Sequence, residues 1–161
     1  MGRTALVGVL AGVLASAPAA AAQRDTRDNL AVVDQEATAD LLERADSVIE
    51  QVFSYSYEKL DERDQLLAEL TTEEFREDQD ALFAEIEAEA PTRQLTVTCT
   101  VADSAAQWLT DDEADVLVFL DQKSVSRADA QENAAGAMLL ASFEMSGGEW
   151  LLAAVDTFED R

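Results

Sequence analysis

Two side chains stand where they could do chemistry. Asp121 follows the apolar run at residues 116–120, so its carboxylate could lie at a pocket mouth with a raised pKa and act as a base. Tyr55, Tyr57 or Trp108 would then donate hydrogen bonds to a developing oxyanion. Cys99 is the single cysteine, in the alternating run at residues 95–101, where a small apolar side chain facing inward is the expected role. Histidine is absent, which leaves nothing to activate that thiol and removes imidazole acid–base chemistry; with one cysteine, zinc centres and disulfides within the chain go as well. No residue type or spacing sets a donor against Asp121, and the expectation is that Asp121 and Gln122 face solvent or tie strand ends together. The sequence therefore assigns no catalytic, cofactor-binding or metal-ligating residue.

Charge narrows the partners. The 161 residues include 34 Asp and Glu against 11 Lys and Arg, for a net charge of -23. Such a surface repels nucleic acid and anionic headgroups, both of which are bound through clustered cations. The acids at positions 73, 77, 80, 85, 87 and 89 are expected on solvated helix faces. A hydrophobic fraction of 48% over this length suits one folded domain with appendages.

The elements that would position these residues begin with an uncharged stretch at residues 4–22, long enough for about 28 Å of helix at about 1.5 Å per residue. It reads as a single membrane span with a short cytoplasmic tail, leaving the rest of the chain outside the cytoplasm. The small residues at positions 17–22 equally allow a cleaved leader, which would make the protein secreted. The absence of Cys near the end of the apolar region excludes a lipoprotein. The expected organisation is tail and span at 1–27, a stalk helix at 28–40 and an extracytoplasmic domain at 41–161.

Through the stalk and into that domain, Leu30, Val33, Ala37, Leu41, Ala45, Val48 and Val52 recur at helical spacing, predicting one amphipathic helix over residues 28–57. A short helix follows at 61–70. Thr71 and Glu74 form an expected capping box for a third helix carrying Phe75, Leu82, Phe83 and Ile86 and stopping by Pro91. Beyond Pro91 the period drops to two, giving strands at 94–101 and 116–123, an irregular stretch at 127–133, and a hairpin whose arms flank Gly147 and Gly148. Phe53, Tyr55, Tyr57, Phe75, Phe83 and Phe119 are expected in the core. Helices first and a meandering sheet second make an α+β fold, with helices packed on a curved antiparallel sheet as in cystatin-like and nuclear-transport-factor-two-like cones. Such cones include ketosteroid isomerase, so the fold leaves function open.

Several ordered segments carry a resemblance: Val32-Val33-Asp34, Val52-Phe53-Ser54-Tyr55-Ser56-Tyr57, residues 66–75, Val118-Phe119-Leu120-Asp121-Gln122 and Gly148-Glu149-Trp150-Leu151-Leu152. Together they resemble the actinobacterial Mce-associated membrane proteins over about residues 28–158. The resemblance implies a non-catalytic accessory protein of an Mce-type lipid import system, anchored in the bacterial membrane beside Mce-family proteins and transporter permease subunits. It also leaves room for a lipid ligand. The alternative is a lipid or small-ligand binder, or a ketosteroid-isomerase-like enzyme, on the same cone.

Overall fold

Two short polar side chains set where the first helix begins. In the computed structural model, which describes residues 29–158, Asn29 Oδ1 accepts the Ala31 N–H and caps a 3-10 turn, Leu30–Val32. Asp34 then accepts the Ala37 N–H at 3.0 Å and starts α1, Gln35–Phe53. The unbroken helix expected over 28–57 is thus interrupted at Val33 and ends at Phe53, because an Asn or Asp able to accept from the backbone two or three residues on restarts the helix. The expected span at residues 4–22 lies outside the described residues, and no described helix is long and apolar enough to cross a membrane.

Asn29 also bonds to β2 (Leu95–Leu109): its amide donates to the Gln107 carbonyl and its oxygen accepts the Leu109 N–H, both at 3.0 Å. Leu30, Ala31 and Ala37 pack on the core. Within the segment expected as a stalk, Asn29, Leu30, Ala31 and Ala37 thus contact the domain, while Val32 and Val33 are exposed. Farther along α1, Leu41, Ala45, Val48, Ile49 and Val52 are fully buried.

Three helices follow: α2 (Leu60–Leu70), α3 (Glu73–Asp78) and α4 (Asp80–Arg93). The capping threonine of α3 is Thr72, which accepts the Phe75 N–H at 3.2 Å, and not Thr71. Thr71 instead donates its hydroxyl to the Leu67 carbonyl at 2.6 Å, closing α2. The single helix expected from here to Pro91 is two, broken at Gln79, because α3 packs against β5 (Glu149–Asp156) while α4 turns to follow β2. Pro91 does not stop α4. The helix runs to Arg93 and is closed by Gln94 in the left-handed region, with φ 49°. All six acids expected on helix surfaces are exposed.

The sheet is antiparallel throughout, in the order β1–β2–β3–β4–β5. To the four strands of the expected meander it adds β1, the two residues Tyr55–Ser56, on the outer edge of β2. Strand β3 spans Glu113–Ser126, and β4, Gln131–Ser146, begins inside the stretch expected to be irregular. Gly147 and Gly148, with φ 60° and 87°, make the tight turn into β5. Register shifts at Val101/Asp103, Ala106/Trp108 and Ser142/Phe143 bend the strands and curl the sheet around the helices. The inner face carries Val116, Val118, Leu120, Leu139, Ala141 and Phe143. Phe119, expected in the core, is on the outer face with 42% of its surface exposed. Strand alternation requires this, since its neighbours Val118 and Leu120 both point inward.

Candidate functional site

In a curled sheet closed by helices, the place for a ligand is the space between the layers. Here that space is lined by Phe53 from α1, Tyr55 from β1, Arg63 from α2, Leu82, Phe83 and Ile86 from α4, and Gln122 from β3. Arg63 fills it. Spaced four and seven residues before the buried Leu67 and Leu70, it occupies an inward position of α2 and is itself 7% exposed. Its guanidinium carbon lies 5.2 Å from the centre of the Tyr55 ring and 4.8 Å from that of Phe83. One Nη donates to the Val52 carbonyl at 3.3 Å. The remaining cavity is about 10 Å³, at or below the space a single water needs.

The electrostatics follow from burial. Desolvation lowers the pKa of Arg63 from its ordinary value. Desolvation also pushes the Tyr55 hydroxyl up to about 12, against the pull of Arg63 and Arg93. At neutral pH the pair is a cation over a neutral phenol ring, a cation–π contact in place of a salt bridge. At the end of α4, Arg93 reaches Asp129 Oδ2 with its Nε and one Nη, both at 3.2 Å. The Ser126 hydroxyl bridges the Arg93 carbonyl at 2.9 Å and the same Asp129 oxygen at 3.0 Å.

The expected site residues do not converge. Asp121 points outward from β3 while its neighbour Gln122 is buried. The carboxylate borders an open concavity of about 580 Å³ on the outer sheet face, with Thr98, Thr100, Lys123, Ala134 and Gly136. Tyr55 lies on the opposite side of the sheet, and the Tyr57 hydroxyl donates to Glu58 at 3.0 Å. Trp108 is opposite Asp115, six positions along β3 from Asp121, a distance of about 20 Å at about 3.4 Å per residue. Cys99 is buried as expected, its thiol pushed up to about 12 mainly by desolvation, with Glu50 adding to the shift. Arg63 is the residue that sequence reasoning passed over; the signal was a cation at an apolar position of the α2 stripe. Among the described residues no cluster of His, Cys, Asp or Glu is arranged to hold a metal ion.

No known family profile matches the chain, and no curated protein matches it in sequence. Solved structures do match. CagV, a VirB8 homolog of the type IV secretion system of Helicobacter pylori, has a TM-score of 0.56 at 13% identity, covering 75% of this chain and 96% of its own. A periplasmic fragment of TraM matches at 0.56 and 9% identity, over 73% of this chain and 94% of its own. The beta subunit of benzoate 1,2-dioxygenase from Burkholderia mallei matches at 0.52 and 11% identity, over 73% and 86%. A secretion-system protein and a dioxygenase subunit share little beyond architecture, so the likeness is one of fold. The chain has the nuclear-transport-factor-two-like cone, helices on a curled five-stranded antiparallel sheet.

Proposed function

We propose that this protein is a non-catalytic accessory or scaffold protein of an Mce-type lipid import system, held at the cell membrane by its N-terminal segment with the cone outside the cytoplasm. The observation that carries the reading is the filled cone: with Arg63 between Tyr55 and Phe83, about 10 Å³ remains where a substrate would sit. A domain that spends its interior on packing does its work through its surface. The similarity to the Mce-associated proteins read from the sequence supplies the partners, Mce-family proteins and permease subunits. The uncharged residues 4–22 and the likeness to a periplasmic fragment of TraM support the placement outside the cytoplasm.

The test is complementation of a deletion strain defective in lipid import, with every variant checked for normal accumulation. Full-length Asp121→Asn and Arg63→Met are expected to restore import, and affinity purification from membranes is expected to recover Mce and permease subunits. Replacing residues 4–28 with an unrelated anchor is expected to impair it. Loss of import in Arg63→Met or Asp121→Asn with folding and copurification intact would establish the ligand-binding or enzymatic alternative instead.

A further inference from the structure

Among the described residues, parts of the sheet's edges are covered. On the outer side of β2, beyond β1, the Cys99 N–H donates to Ser54 Oγ at 2.9 Å and the Val101 N–H to Glu50 Oε1 at 2.8 Å. Gln107 and Leu109 are bonded to Asn29. On β5, the Leu152 carbonyl accepts the Thr72 N–H at 3.0 Å. Strand β4 differs. It pairs with β3 from Gln131 to Glu144, but β5 covers its other side only from Leu140 onward. From Gln131 to Leu139 the second side has no strand and no side-chain cap among the described residues.

This open edge has none of the usual protections. Natural edges are shortened, bulged, interrupted by Pro or studded with Lys. Here β3 and β4 keep unbroken register, and residues 131–139 hold no Pro and one charge, Glu132, whose carboxylate is 3.3 Å from Lys123 Nζ. In a chain of net charge -23, a neutral strip is where a second copy can approach without repulsion.

We propose that this edge is a self-association surface, on which two copies pair their β4 strands antiparallel about a two-fold axis at Ala135 and join their sheets into one. The register is self-complementary. Glu132 of one copy falls opposite Met138 of the other and never opposite itself, Asn133 opposite Ala137, and Ala134 opposite Gly136, so no like charges meet and small residues occupy the centre. Gln131 falls opposite Leu139, where pairing stops because β5 takes over the edge. The exposed side chains of Phe119 and Met138, cross-strand partners on the outer face, extend that apolar row towards the junction. The pairing rests on the edge alone and stands apart from the lipid-import reading.

The two-fold makes a register-specific test possible in the full-length chain in native membranes. Ala135→Cys places two thiols on directly opposed residues, whose Cα atoms are about 4.5–5.5 Å apart, within disulfide reach. Mild oxidation is then expected to give roughly ten-fold more disulfide-linked dimer than Glu132→Cys, whose like positions are six residues out of register, about 20 Å apart. Coexpressed Glu132→Cys and Met138→Cys copies are expected to form the mixed dimer, and the parent chain, with Cys99 buried, none. Absence of dimer from Ala135→Cys, or equal yields from Ala135→Cys and Glu132→Cys, would overturn the proposal, the second by pointing to contact elsewhere in the chain.

Discussion

The Arg63 guanidinium stands 4.8 Å from the centre of the Phe83 ring, a residue on α4 twenty positions later, and that contact closes the mouth of the cone. Its charge is desolvated there, and neither ring returns what an ion pair would. The long aliphatic stem, in contrast, fills space that no other side chain occupies.

Volume and charge can therefore be separated by substitution. Arg63→Met keeps most of the stem and removes the desolvated charge; its stability is expected within about 1 kcal/mol of the parent, or above it. Arg63→Ala leaves a cavity among Phe53, Tyr55, Phe83 and Ile86 and is expected to lose about 2–4 kcal/mol. Urea unfolding followed by circular dichroism measures both, and a Met variant as unstable as the Ala variant would mean that the charge itself holds the fold.

Alkaline pH should loosen the domain in two stages. The Cys99 thiol and the Tyr55 hydroxyl both titrate near 12 when folded, against ordinary values of 9.0 and 10.0. Each is held neutral by burial, so the folded chain keeps protons that the unfolded chain releases, and stability falls as pH rises. The contribution of Cys99 is complete below about 9 and that of Tyr55 below about 10; both are lost towards 12. Melting temperature measured from pH 8 to 12 should decline across that window. Cys99→Ala is expected to delay the onset to the tyrosine range, and a decline that begins at the same pH in both proteins would assign the effect to other groups.

Ile49 sits with Leu41, Val48 and Val52 at zero exposure where α1 crosses the sheet. Ile49→Asp would bury an unpaired carboxylate and is expected to abolish cooperative unfolding, whereas Ile49→Val should cost about 0.5–1.5 kcal/mol. A cooperative melt of the Asp variant at the parent temperature would show that this face of α1 is not part of the core.

Much of the architecture could be read because its causes are local. The α1 stripe from Leu41 to Val52, the alternation around Cys99 and the glycine pair at 147–148 each follow from the spacing of a few neighbouring residues. Boundaries were less legible. Thr71 and Thr72 are both able to cap a helix, and the choice fell to Thr72 because Thr71 is engaged with Leu67 and lies beside Leu152. Gln79 is an ordinary helix former, yet the helix breaks there because α3 packs against β5 while α4 turns to follow β2. Phe119 looked like core within an apolar run and is outside, since a strand presents alternate residues to opposite faces.

The sequence alone determined the fold class, the acidic helix surfaces and the absence of histidine, because period is set within short stretches of chain and composition needs no packing to be read. Tertiary structure decided what became of the site. Asp121 and Tyr55 lie on opposite sides of one sheet, Arg63 is drawn into the cone, and β4 outruns β5 to leave an open edge. Each of these depends on register and packing between elements far apart in the chain, where moving a strand by one residue would exchange its inner and outer faces.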